Sequence, residues 1–331
     1  MPNYIARLPV DMAMPHVLVT GGSGFIGGAL LRRLEELDWP AVGVSRSSST
    51  VDNIRHSPCL SVDADWRPLL NGRSIVVHTA ARVHVMQDYA DDPLTAFREV
   101  NVEGTLRLAR QAAEVGVRRF VFISSIKVNG EVTMPGSPFT ADEASSPVDP
   151  YSISKAEAEA ALLRLADETG MEVVIIRPPL VYGPRVGGSF LIMMRWLKRG
   201  IPLPLGAVHQ NRRTLVGLNN LIDLVVTCMQ HPAAENQIFL AGDGVDISTT
   251  DLLHRLAAAM GVPPRLIPVP AWMLESGAVL VGKRAVAQRL CGNLQVDISK
   301  ARRVLGWEPR LGMNEELKRT AAWYHEQSGW G

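Results

Sequence analysis

Apolar residues in the first half of the chain gather in short runs, separated by stretches with helical spacing. Val17-Leu18-Val19, Ala41-Val42-Gly43-Val44, Ile75-Val76-Val77 and Phe120-Val121-Phe122-Ile123 are continuous rather than alternating. Such a run reads as a strand buried on both faces. Between the first two, Phe25 to Leu37 places Leu and Ile at the period of a helix. Strand and helix patterns alternate from 16 to about 177. That order predicts an α/β fold built on a doubly wound parallel sheet.

Gly183-Pro184 marks a change. Beyond it, loops and helices are punctuated by Pro202, Pro204, Pro263, Pro264, Pro268 and Pro270. We expect residues 15–182 to form the sheet domain and 183–331 a smaller C-terminal domain that closes over the strand ends and forms a pocket. Leu215–Gln230 and Gln237–Ala241, within 214–241, are expected to return to the sheet, so the division is not a clean cut. Residues 1–14 contain Pro2, Pro9 and Asp11 without an apolar core and read as a disordered tail rather than a leader.

The first chemistry lies where the first strand meets its helix. Thr20-Gly21-Gly22-Ser23-Gly24-Phe25-Ile26-Gly27 is a glycine-rich turn. Gly21 can take a tight turn that a Cβ would obstruct. Gly24 lets backbone approach a phosphate, and Gly27 lets the helix pack closely on the strand. The helix start offers unpaired N–H groups and a partial positive charge to a pyrophosphate. A glycine triplet alone also fits an ordinary turn; the strand–turn–helix setting points to a dinucleotide, in a Rossmann-type arrangement.

The next strand ends in Ser45-Arg46, followed by Ser47, Ser48 and Ser49. A site for NAD usually carries Asp or Glu there, which binds the ribose hydroxyls and repels a 2′-phosphate. A guanidinium beside small hydroxyls suits that phosphate. NADP is therefore preferred to NAD, with an Arg pointing into solvent as the alternative. Asp63 is a candidate acceptor on the adenine side. Thr79, Ala80 and Ala81 end another strand in small side chains across which a cofactor can lie. His78 reads either as a base or as a packed strand-end residue; with no carboxylate nearby in sequence, the second is preferred.

The second chemistry comes later. Phe120–Ile123 runs into Ser124-Ser125, and Tyr151-Ser152-Ile153-Ser154-Lys155 follows. Lys155 lies one helical turn beyond Tyr151, so both share a face. A phenol titrates near 10, and a neighbouring ammonium is expected to lower that value. Ser125 can hydrogen-bond the same substrate oxygen. The set reads as an acid–base pair working on a carbon-bound oxygen while hydride moves to or from a nicotinamide. A chance Tyr-x-x-x-Lys on a helix surface is the alternative, and the glycine turn upstream argues against it.

With His78-Thr79-Ala80-Ala81, Asn101-Val102-Glu103-Gly104-Thr105 and Arg177-Pro178-Pro179-Leu180-Val181-Tyr182-Gly183-Pro184, these motifs give the chain a family likeness. It resembles the extended short-chain dehydrogenases/reductases, the NAD(P)-dependent nucleotide-sugar epimerases, dehydratases and reductases, over about residues 15 to 326. The resemblance implies that Ser125, Tyr151 and Lys155 are the catalytic triad and that Asn101 supports the helix bearing Tyr151 and Lys155. The expected cofactor contacts become Gly21, Gly24, Phe25, Ile26, Gly27, Ser45, Arg46, Asp63, Thr79, Ala80, Ala81, Asn101, Ser124, Tyr151, Lys155 and Pro178. Ser125, Lys127, Arg213 and Arg289 are the expected substrate contacts, the two arginines falling near the family's diphosphate-binding arginines. A solvated surface Arg is the alternative for each. The resemblance also implies a homodimer.

Ser124–Gly130, Arg177–Pro184 and Gly200-Ile201-Pro202-Leu203-Pro204-Leu205-Gly206 are similar to a bacterial subgroup. That subgroup includes 4-reductases of UDP-4-keto-6-deoxy-N-acetylhexosamines used in surface polysaccharides. Lys127, Asn129 and Leu180 depart from the epimerase pattern, and the asparagine that commonly helps hold the nucleotide diphosphate near position 180 is absent. The expected function is NAD(P)-dependent oxidoreduction at C4 of a nucleotide-linked hexose, UDP-linked by the resemblance, with 4-keto reduction preferred. A UDP-hexose or UDP-N-acetylhexosamine 4-epimerase is the alternative. A non-catalytic NADP-sensing regulator is the alternative of another class. Trp272, Trp307, Trp323 and Trp330 read as uracil-stacking or, more simply, as packing residues.

Composition narrows the rest. The chain has 331 residues, 47% hydrophobic, enough for a large buried core. A formal net charge of +1 argues against nucleic acid or an anionic membrane as the main partner. Cys59, Cys228 and Cys291 are far apart and show no metal-binding or disulfide spacing. Free thiols fit the cytoplasm, and no apolar run reaches membrane-spanning length.

Overall fold

The computed structural model describes residues 14–46, 53–83 and 92–328. Residues 1–13 of the expected tail, Ser47 to Ser49 and Trp330 lie outside the described residues. In chain order the strands are β1 (Val17–Thr20), β2 (Ala41–Ser45), β3 (Ile54–His56), β4 (Ile75–His78), β5 (Arg119–Ile123), β6 (Glu172–Arg177), β7 (Leu180–Tyr182), β8 (Arg213–Gly217), β9 (Gln237–Leu240) and β10 (Asp246–Ile247). The first helices are α1 (Phe25–Glu36), α2 (Arg67–Leu70), α3 (Pro93–Arg98), α4 (Thr105–Glu114), α5 (Pro150–Thr169) and α6 (Gly188–Lys198). They are followed by α7 (Leu218–Gln230), α8 (Thr249–Ala259), α9 (Ala271–Leu280), α10 (Arg284–Cys291), α11 (Ser299–Leu305) and α12 (Met313–Ser328).

Among the described residues the larger sheet has seven parallel strands in the order β3-β2-β1-β4-β5-β6-β9. The continuous apolar runs explain it. Val17 and Val19 enter the core under α1 and α7, while Leu18 enters the opposite core under α4 and α5. Phe120 and Phe122 share the second core; Val121 and Ile123 share the first. Burying one such side chain is worth roughly 1.5–3 kcal/mol. A slip of one residue would exchange every side chain between cores, so register is firmly set.

β2 and β4 flank β1 on opposite sides, so the chain segments leaving β1 and β4 diverge and open a crevice at their C-terminal ends. Of the 214–241 stretch, Gln237–Leu240 pairs with β6 in the large sheet. Arg213–Gly217 instead pairs with β7 and β10 in a three-stranded sheet. A third core lies under that small sheet, built from α6, α8 and α12 residues such as Phe190, Leu253 and Leu317. Isolated bridges Phe139–Val296 and Arg213–Leu294 bring the segment after β5, and β8, against the chain at 294–296.

Candidate active site

The glycine turn sits at the mouth of the crevice. Gly21 has a positive φ of 68°, and a Cβ there would lie 2.7 Å from Thr79 Oγ1 and 3.0 Å from the Ala80 nitrogen. A Cβ on Gly27 would collide with the Gly21 carbonyl, and one on Gly24 would lie 3.0 Å from it. α1 begins without a side-chain cap or an acid in its first turn. Its first N–H groups and dipole are thus left for an anion. The cradle fits a dinucleotide pyrophosphate because side chains are excluded from it, and Phe25 and Ile26 open the helix that borders it.

The strand ends complete the cradle. Thr79 Oγ1 donates to the Thr20 carbonyl at 2.6 Å, and the Ala80 N–H donates to Thr20 Oγ1 at 3.3 Å. Ala81 follows, partly buried. His78 is buried between Thr20 and Thr105, with ring nitrogens 2.7 and 3.0 Å from their hydroxyls. Burial, helped by Lys155, pushes its pKa down to about 3. It is a neutral linker between β1 and α4. Ser45, at the end of β2, is buried with its hydroxyl 2.8 Å from that of Ser23, while Arg46 is exposed beside it. Asp63 is exposed in a turn after β3.

Sequence reasoning missed Arg32 and Arg185. One guanidinium nitrogen of each lies 3.8 Å from the point where a Gly28 Cβ would stand. They border a cavity of about 640 Å³ running from Gly22 and Ser23 along α1 to Asn53.

Ser125 follows β5, and α5 carries Lys155 to the end of that strand, at the Ile123 carbonyl, with Tyr151 one turn earlier on the same helix. Ser125 caps the 3-10 turn Ile126–Val128 and accepts the Lys127 N–H at 3.3 Å. Asp149 caps α5, accepting the Ser152 N–H at 2.7 Å in a reciprocal capping box, and Pro150 takes the first helical position. Tyr151 and Lys155 then occupy the first turns of a fixed helix. Tyr151 is partly buried, its ring meeting Phe97 edge-on at 6.0 Å between centroids.

The electrostatics depart from the expectation that Lys155 lowers the Tyr151 pKa. Burial, with Asp149 adding to it, pushes the phenol up to about 12. The Lys155 ammonium donates to the Ile123 carbonyl at 2.7 Å and lies 4.0 Å from the centre of the Phe122 ring. Burial brings it down to about 7, partly opposed by Glu159. Desolvation therefore governs both groups: Tyr151 is held as a neutral phenol and Lys155 is poised near neutrality.

A buried network adjoins Ser125 and Lys155 in the chain. Ser124 donates to Glu159, which also accepts from Arg177 through Nε at 3.0 Å; Arg177 Nη1 donates to Asn129 at 2.9 Å. Glu159 continues the i, i+4 row of Tyr151 and Lys155, a spacing that marks it in the sequence. Ser124 thus points into this network. Asn101, expected among the cofactor contacts, is buried in the π-helical turn Glu99–Gly104. Its amide donates to the Arg82 carbonyl and to Ser154, each at 3.0 Å. It fixes α5 to the loop after β4, and its side chain is occupied in doing so. Pro178 is buried, and its carbonyl accepts the Ile126 N–H at 3.0 Å.

Arg213 opens β8 and donates to the Gly292 carbonyl at 3.2 Å. Burial and the like charge of Arg289 on α10 lower its pKa, so two guanidiniums converge where an anion would relieve both. Lys127 is held by Asp149 and by Glu131 at 3.2 Å. Burial raises the Asp149 carboxyl, but Lys127 and Ser152 outweigh it and keep it below its ordinary range. Leu180 is exposed on β7. Trp307 is buried, its Nε1 donating to Asp223 at 2.9 Å; Trp323 packs on the third core, and Trp272 is exposed. Among the described residues no cluster of His, Cys, Asp and Glu could hold a metal ion, and no helix is long and apolar enough to cross a membrane.

The model of the NAD dependent epimerase/dehydratase family matches residues 17–242. A UDP-glucose 4-epimerase of Vibrio cholerae is 45% identical over 94% of this chain and 96% of its own length. A UDP-glucose 4-epimerase of Mycolicibacterium smegmatis is 30% identical over 94% and 99%. Among solved structures, the UDP-glucose 4-epimerase of Thermotoga maritima with UDP-glucose shares the fold with a TM-score of 0.76 at 24% identity, covering 95% of this chain and 99% of its own. The UDP-glucuronic acid 4-epimerase of Bacillus cereus in complex with NAD has a TM-score of 0.77 at 19% identity, with 96% and 98% covered.

Proposed function

We propose that this chain, which belongs to the NAD dependent epimerase/dehydratase family, reduces the 4-keto group of a UDP-linked hexose, with NADPH as reductant. What supports the reading is Tyr151, whose phenol burial keeps protonated, one turn before Lys155 on the helix that packs at the end of β5 where Ser125 follows, in a chain that also builds a glycine cradle free of side chains. Bound across that cradle, a nicotinamide supplies the hydride. Ser125 donates a hydrogen bond to the C4 oxygen and orients it. Tyr151 delivers its proton to that oxygen as negative charge develops there. Lys155 replenishes and steadies the phenol once a ribose hydroxyl or the substrate draws it from the Ile123 carbonyl. Arg213 and Arg289 hold the diphosphate. Arg46, beside Ser23 and Ser45, favours a 2′-phosphate.

A second reading, 4-epimerisation, is favoured by the relative that is 45% identical and named a UDP-glucose 4-epimerase. The same three side chains serve it, with the proton passing off and back within one cycle. Leu180 in place of the expected asparagine supports the reductase.

The test supplies a purified UDP-4-keto-6-deoxy-N-acetylhexosamine and NADPH. We expect one NADPH oxidised per product formed, and no interconversion of UDP-glucose with UDP-galactose by the enzyme alone. Protein that purifies with tightly held cofactor and interconverts those sugars without net NADPH use is the epimerase.

A further inference from the structure

The helical hairpin α9–α10 presents an apolar surface that nothing among the described residues covers. No residue of α9 is fully buried. Leu274 packs on the third core and Ala278 is partly covered, which places one side of the helix against the protein. The other side carries Trp272, Met273, Val279 and Leu280. Trp272 is 65% exposed, Val279 58%, Leu280 87% and, at the turn, Val281 67%. Val286 continues the patch on α10. A cluster of large apolar side chains in water marks an interaction surface.

Charge chooses the occupant. From Ala271 to Gly292 the sole acid is Glu275, against Lys283, Arg284 and Arg289. Lys283 and Arg284 stand directly after the exposed Leu280 and Val281, across Gly282, whose φ of 69° makes the turn. A self-complementary contact between two copies would set this basic patch against itself. An anionic lipid surface instead accepts the apolar side chains among its acyl chains and the cations among its headgroups. Ten helical residues span about 15 Å, half of a hydrocarbon core of roughly 30 Å, so the hairpin is long enough to lie in the interface and too short to cross.

We propose that the α9–α10 hairpin docks this enzyme on anionic phospholipid, with Trp272, Val279, Leu280 and Val281 entering the interface and Lys283 and Arg284 meeting the headgroups. The near-zero charge of the whole chain conceals this local imbalance. The inference is independent of which reaction the site performs.

Flotation of the full chain with vesicles tests it. Wild type is expected to float with vesicles of equal parts phosphatidylglycerol and phosphatidylcholine, to stay behind with phosphatidylcholine alone, and to be released by salt. Lys283→Glu with Arg284→Glu should lose at least the roughly fivefold of partitioning that each basic residue contributes near an anionic surface. Leu280→Glu with Val281→Glu should abolish flotation while turnover in solution and the circular dichroism spectrum are unchanged. Two outcomes overturn the proposal. One is wild type that ignores anionic vesicles at low salt. The other is a wild-type dimer, seen by light scattering, that the Leu280→Glu and Val281→Glu changes split, making the hairpin a face between copies.

Discussion

The Lys155 ammonium is bound to the Ile123 carbonyl at 2.7 Å rather than to the phenol of Tyr151 one turn away. Buried there, it titrates at about 7 in the folded chain, against 10.5 for an ordinary lysine. Between those values the unfolded chain binds a proton that the native chain lacks. This group's contribution to stability therefore rises with pH across that window. In spectra of protein carrying 13C-labelled lysine, one ε-carbon is expected to titrate near neutrality and to vanish in Lys155→Met. A wild type whose lysines all titrate in the ordinary range refutes the assignment.

Tyr151→Phe keeps the ring and its edge contact with Phe97 and removes only the transferable proton. Turnover should fall by roughly 100- to 10,000-fold, the usual contribution of a general acid or base. Affinity for the cofactor should barely change, because the cradle at Gly21, Gly24 and Gly27 is untouched. Steady-state kinetics and fluorescence titration of NADPH read the two effects separately. Near-wild-type turnover at saturating substrate would remove Tyr151 from the mechanism.

Arg46→Ala should weaken NADPH much more than NADH. A hydrogen bond to a charged group is worth about 1.5–3 kcal/mol, or roughly 10- to 150-fold in affinity. Dissociation constants for both cofactors, measured on both proteins, decide it. Equal losses, or a wild type that already prefers NADH, speak for Arg46 as a solvated residue.

The buried pair of Arg177 and Glu159 gives a stability prediction. Arg177→Met leaves Glu159 as an uncompensated carboxylate and should cost about 3–5 kcal/mol in urea unfolding. Adding Glu159→Leu should restore a good part of that loss, since the unpaired charge is then gone. A single variant as stable as wild type would mean that the pair is solvated in solution.

The parts of this molecule legible in its sequence are those where local chemistry dictates structure. Continuous apolar runs reported β1, β2, β4 and β5, and the glycines at 21, 24 and 27 reported a turn that side chains cannot enter. The Tyr151–Lys155 spacing gave a shared face but not the ammonium's partner. That partner is the Ile123 carbonyl, brought there by tertiary packing of α5 on β5. Asn101 carried a family signal, yet its reach to Arg82 and Ser154 depends on a π-helical turn that no spacing announces. Arg32 and Arg185 lie far apart in the chain and converge only once α1 meets the loop after β7. Whole-chain charge averaged away the basic hairpin.

β9 reaches the large sheet only after the chain has built β7 and β8 elsewhere, and it seals the outer side of β6 from Val174 to Arg177. A fragment stopped at Tyr182 would hold the glycine turn, Ser125, Tyr151 and Lys155, yet leave the apolar β6 as a raw edge ready to pair with another molecule. The first half of this chain is therefore no transplantable cassette. Recombining it with a relative requires Gln237–Leu240 to travel from the same parent, even though those residues sit far from every reacting atom in the sequence.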